Sequence, residues 1–174
     1  MTDNLTFAGI GSRETPPDII DRMKVIAKRL AVQGYVLRTG GASGADEIFL
    51  KTYNEVGGPV ELYLPWKGFN FHPKGFLPSK AAYDLAALYH PTWNSLSNGG
   101  KSLHARNMHQ VLGVGLNDPV NFIVCWTKDG KASGGTGQAL RLAESLTPKI
   151  PVYNLFNFLY DETIGLPRLV DMIK

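Results

Sequence analysis

The sequence predicts a three-layer α/β fold in which a parallel sheet of about five strands, in the order 3-2-1-4-5, carries helices on both faces. Short apolar runs alternate along the chain with segments of helical periodicity, the pattern of parallel strands joined by helical crossovers. Glycine-rich turns follow three of the runs and each opens a helical pattern: GSR at 11–13, GGASGAD at 40–46 and SGGTG at 133–137. A long irregular excursion at 65–100 gives the chain room to cross back over the sheet.

The elements follow in order. Residues 5–10 read as a buried strand. In GSRETPPD, Thr15 is expected to cap a helix with Pro16 near its first position. Ile19, Met23, Ile26 and Leu30 then recur at spacings of three and four, with Ile20, Ala27 and Ala31 alongside and Gly34 placed as a C-terminal cap. Residues 35–39 give a second strand, 45–56 a helix with Ile48, Phe49, Thr52 and Tyr53 on one face, and 60–64 a third strand. The excursion contains an aromatic, basic loop, a helix over 79–89 and the stretch SLSNGG, read as loop. A helix over 101–113, a strand over 120–126, a helix over 138–146, a strand over 150–155 and a closing helix over 166–173 complete the pattern. Right-handed crossovers set the first three strands in the order 3-2-1, and the return crossing puts the fourth beside the first and the fifth outside it.

Composition narrows the class. With 174 residues, 44% hydrophobic and 19% charged, the chain is expected to form a single globular domain over 1–174. Its apolar runs are strand-sized, and MTDNLTF lacks the basic and hydrophobic regions of a leader, so a cytoplasmic protein with no membrane partner is expected. Cys125 lies in the apolar run VNFIVCW and reads as a small buried hydrophobe. Eighteen basic and fifteen acidic side chains give +3, which suits anionic ligands without itself implying nucleic acid.

Ligands of such sheets bind at the carboxyl edge where the strand order reverses, here between the first and fourth strands. Glycine lets backbone amides crowd around an anion, and a helix N-terminus adds partial positive charge. Candidate phosphate-binding residues are therefore Gly11, Ser12 and Arg13; Gly40, Gly41, Ser43 and Gly44; and Ser133, Gly134, Gly135, Thr136 and Gly137, with Lys128 and Lys131 adding charge. Arg13 offers a bidentate guanidinium to an anion or a partner to a surface carboxylate. Asp46 and Glu47 stand in the first turn of a helix, where they could grip a ribose hydroxyl, act as general base, or simply complement the dipole. Arg106 and Asn107 lie on the helix before the fourth strand, with His109 on nearly the same face as Arg106. A serine-hydrolase elbow fails because GxSxG would need glycine at Ala45 and no histidine follows His109. His72, His90, His104 and His109 lack ligand spacing, so neither metal nor cofactor is expected. The loop WKGFNFHPKGF has the composition either to stack on a base or to cover ordinary core.

The succession GSR, GGASGAD, ARNMHQVLG and SGGTGQALRLA resembles the Rossmann-like superfamily that unites DprA/Smf proteins, Lonely Guy phosphoribohydrolases and SLOG nucleotide sensors, and is most similar to small stand-alone DprA-like proteins of phages and bacteria. The resemblance spans most of the chain and implies a Rossmann-like fold. In Lonely Guy enzymes an arginine before the fourth strand and a glutamate in a PGGxGTxxE pattern carry N-glycosidic cleavage. Arg106 matches the arginine, but Ser133 falls on the proline, Gln138 on the threonine and Arg141 on the glutamate. The resemblance thus implies a nucleotide or nucleotide-derived phosphate ligand. It extends to hydrolysis of a nucleoside 5′-monophosphate if Glu47, Asp46 or Glu144 supplies the missing carboxylate beside Arg106. The alternatives are a DprA-like module that binds single-stranded DNA without catalysis and a SLOG-type sensor. A homo-oligomer, dimer or higher, is also expected.

Overall fold

A computed structural model of the protein describes residues 4–157. The strands are β1 (Thr6–Gly9), β2 (Val36–Thr39), β3 (Val60–Leu62), β4 (Phe122–Cys125) and β5 (Val152–Asn154). The helices are α1 (Pro17–Val32), α2 (Ala45–Val56), α3 (Lys80–Tyr89), α4 (Asn98–Leu112) and α5 (Gly137–Ser145). Every strand pair is parallel and the order is β3-β2-β1-β4-β5, as the sequence predicts. The closing helix expected over 166–173 lies outside the described residues. No helix among the described residues is long and apolar enough to cross a membrane.

Alternation along the strands decides which layer each side chain joins. Phe7, Leu37, Phe122 and Val124 pack with Ile19, Met23, Ile26 and Leu30 of α1 and with Phe49 and Tyr53 of α2. Their neighbours Ala8, Ile123 and Cys125 turn the other way, onto Ala82 of α3, Met108 and Val111 of α4, and Ala139 and Leu142 of α5. Both strand faces are apolar because both are covered, the signature of a parallel sheet. Phe7 and Phe122, side by side on adjacent strands, stack at 5.6 Å between ring centroids.

Two helix starts differ from expectation. Pro16, not Thr15, precedes α1, and the Thr15 hydroxyl instead donates to the Ser12 carbonyl at 2.6 Å. The helix α4 begins at Asn98, inside the stretch read as loop, because the Ser97 Oγ accepts from the Gly100 amide at 3.1 Å. That side-chain cap outweighs the poor helix propensity of Gly99 and Gly100. Ser79 caps α3 in the same way, accepting from the Ala82 amide at 3.2 Å.

The excursion returns to the sheet before leaving it. The Leu64 amide donates to the Phe76 carbonyl and the Phe76 amide to the Leu62 carbonyl, each at 2.8 Å, so residues 66–75 form a strap anchored at both ends beside β3. It carries a single 3-10 turn, Phe69–Phe71.

Candidate functional site

The turns after β1, β2 and β4 meet at the carboxyl edge of the sheet around a cleft of about 670 Å³. Gly11, Ser12, Arg13 and Glu14 come from the first turn, Ala42 and Asp46 from the second, and Thr127, Lys128, Asp129, Ser133, Gly134, Gly135 and Thr136 from the third. The floor is α4, which contributes Leu103, His104, Arg106, Asn107 and Gln110.

Three buried polar side chains hold the turns together. Asp46 accepts from the Gly11 amide at 3.2 Å through one oxygen and from the Gly40 amide at 3.1 Å through the other, so one carboxylate ties the first turn to the second. Arg106 donates from Nη1 to the Gly40 carbonyl and from Nε to the Asn107 Oδ1 at 3.0 Å. Asn107 donates in turn to the Gly135 carbonyl at 2.9 Å, extending the frame to the third turn. Burial pushes the Asp46 carboxyl up to about 6, against the opposing pull of Arg106 and of the backbone amides it accepts. Burial likewise lowers the Arg106 guanidinium from its ordinary range.

The donors that remain point to an anion. The Arg13 side chain is exposed and makes no ion pair or hydrogen bond among the described residues. The amides of Gly134, Gly135 and Thr136 have no protein acceptor among the described residues, and neither has Nη2 of Arg106. Among the described residues Lys128 reaches only Glu14, at 3.7 Å with both side chains largely solvated, an arrangement worth little. A guanidinium lining one cleft with consecutive amides before a helix has the chemistry to bind an anion such as phosphate.

Not every residue singled out in the sequence lies here. Gly40, Gly41, Ser43, Gly44, Gly137 and Glu47 are outside the cleft lining. The GGASG turn packs rather than presents itself: a Cβ at Gly40 would meet the Gln110 Nε2 at 2.3 Å and Arg106 at 2.5 Å, and one at Gly44 would meet the Ser12 carbonyl oxygen at 2.6 Å. Glu47 pairs with His72 of the strap at 2.5 Å. His109 does not accompany Arg106; its ring stacks on Tyr63 and its Nε2 accepts from the Ser79 amide at 3.1 Å. Arg141, at the position of the Lonely Guy glutamate, donates to the Tyr89 carbonyl at 3.2 Å and to the Gln138 Oε1 at 2.9 Å.

Leu103, His104 and Gln110 line the cleft without having been anticipated. The signal was present, since 103, 106, 107 and 110 share one helical face. His104 has a buried Nδ1 with no partner among the described residues, and burial together with neighbouring His90 and Arg141 holds its pKa down at about 4.

No protein-family model matches the chain, and no curated protein matches it. Solved structures do. The chain aligns with DNA processing protein A (DprA) from Helicobacter pylori at a TM-score of 0.60 and 18% identity, over 98% of this chain and 80% of that one. It aligns with DprA from Streptococcus pneumoniae at a TM-score of 0.52 and 18% identity, over 97% of this chain and 56% of that one. The fold is DprA-like. The H. pylori DprA structure is described as showing a unique mode of single-stranded DNA binding. What the two DprA structures share with this chain is the α/β fold.

Proposed function

We propose that the cleft recognises backbone phosphate and that the protein is a single-stranded DNA-binding module without catalysis. The observation that carries this reading is the convergence of the unpaired Arg13 guanidinium with the free amides of Gly134, Gly135 and Thr136 on one cleft. The DprA-like fold supports it, since the H. pylori protein of that fold binds single-stranded DNA.

The carboxylates favour binding over hydrolysis. Cleavage of an N-glycosidic bond needs a carboxylate free to act on the sugar or on water. Asp46 has both oxygens engaged by backbone amides. Asp129 accepts from the Ser133 hydroxyl at 2.6 Å and the Lys131 amide at 3.0 Å, both through Oδ1, and these bonds hold its carboxyl below the ordinary range, so it has no proton to give a leaving base. Glu14 is largely solvated, with only the weak Lys128 pair among the described residues to place it, and Glu47 pairs with His72 of the strap.

The test pairs binding with turnover. Fluorescence anisotropy with a labelled oligothymidylate is expected to show binding that Arg13→Ala weakens by about tenfold, as loss of a charged hydrogen-bond donor does. Chromatography of nucleoside 5′-monophosphates incubated with the protein is expected to show no free base. Base release that disappears in Asp46→Asn would establish a glycosidase in place of this reading.

A further inference from the structure

The strap at residues 66–75 presents an aromatic side chain that the fold does not use. Phe71 is 97% exposed, and it holds a left-handed backbone conformation with φ of 65° directly after Asn70 at 47°. A bulky residue in that region is an outlier that persists only where its surroundings over-determine it. The surroundings do so: the Asn70 side-chain amide donates to the Gly41 carbonyl at 2.9 Å, and His72 pairs with Glu47 at 2.5 Å. The turn is thus pinned on both sides of Phe71 while the ring itself touches nothing that would explain its place.

Charge and position indicate an occupant. The sequence WKGFNFHPKG contains no acidic residue. Lys67 and Lys74 are exposed and make no ion pair among the described residues. Trp66 is 43% exposed, and its ring meets Phe69 edge-on at 5.2 Å between centroids. Phe69 in turn lies under the Arg106 guanidinium, 5.6 Å from its ring centroid, and Arg106 lines the cleft. The strap is therefore continuous with the phosphate-recognising cleft through a single side-chain contact. Exposed aromatic faces interleaved with unpaired cations match a strand whose bases are unpaired and whose backbone is anionic.

We propose that Phe71 is a stacking platform for a base of the single-stranded DNA whose backbone is held at the cleft, with Lys67 and Lys74 attending the phosphates on either side. This rests on the DNA-binding reading of the cleft and assigns it a second, base-facing contact.

Anisotropy titrations of wild-type protein and Phe71→Ala, each against an oligothymidylate and the same strand made of abasic sugars, test it. Phe71→Ala removes no buried surface, and Phe71→Trp controls for the fold. The expected result is a loss of about tenfold on thymidylate for Phe71→Ala, restored by Phe71→Trp, and no loss on the abasic strand. Because no charge changes, the slope of log affinity against log salt stays as in wild type. Wild-type binding with equal affinity of Phe71→Ala for thymidylate overturns the platform and leaves the cleft reading standing. Absence of any oligonucleotide binding by wild type overturns both. A Phe71→Ala protein that sediments as a smaller species than wild type would assign the ring to contact between copies of the chain and overturn the proposal.

Discussion

Asp46 and Glu47 are adjacent in sequence, yet their surroundings separate completely. Successive helical residues project about 100° apart, so Asp46 turns inward to the Gly11 and Gly40 amides while Glu47 turns outward to His72. The sequence placed both at a helix N-terminus and could not choose between them, because the partner of each comes from a distant segment. The buried carboxyl has a consequence for stability. Asp46 keeps its proton up to about pH 6 in the folded protein, against about 4 in an unfolded chain. Between those values the native state binds more protons than the unfolded one, so this group's contribution to stability falls as pH rises from 4 to 6 and is constant above. His104 acts in the opposite sense, since its folded pKa of about 4 lies below the ordinary value of 6.5. The effect is therefore read as a difference: urea unfolding of wild type and Asp46→Asn should show wild type losing up to about 3 kcal/mol relative to the variant between pH 4 and 6. A pH-independent difference would mean that the carboxyl is ionised throughout.

At the scale of elements, α4 sets the cleft floor and the second turn supports the first. Ser97 starts α4, and loss of its hydroxyl bond to the Gly100 amide in Ser97→Ala should lower the unfolding free energy by about 1 kcal/mol, measured by urea denaturation. The start of α4 was illegible because SLSNGG reads as a linker until the capping serine is recognised. The GGASG turn was misleading for a different reason. Glycines that admit a ligand and glycines that admit another loop look alike in sequence, and only the contacts distinguish them. Gly44 has φ of 87° and its would-be Cβ lies 2.7 Å from the Arg13 Cα, whereas Gly135 has no atom within 4 Å of its Cβ direction. Gly44→Ala should therefore cost more than about 1 kcal/mol and displace the first turn. Gly135→Ala should leave stability within about 0.5 kcal/mol of wild type and weaken DNA binding alone. Thermal unfolding and anisotropy on both variants separate the two roles, and a Gly135→Ala protein that binds DNA as wild type would remove the third turn from the site.

Across the whole molecule, topology was the most legible property. Alternating runs and one long return crossing suffice to order five strands, because handedness leaves few arrangements open. That order carries the first and third turns to opposite sides of one cleft without any knowledge of side-chain contacts. The framework of Asp46, Arg106 and Asn107 was only half visible: the residues stood out, but their bonds run to backbone atoms of turns 6 to 66 positions away. A net charge of +3 gave little direction, since the proposed phosphate recognition rests on where cations are placed rather than on total charge.

The most direct measurement is the affinity of wild type and Arg13→Ala for an oligothymidylate across a range of salt concentrations. If the rim holds a DNA backbone phosphate through Arg13, log affinity falls linearly with log salt and the variant's slope is shallower by about 0.7, the value for one contact to a single strand. Parallel lines, or affinity that does not respond to salt, would contradict phosphate recognition at this cleft.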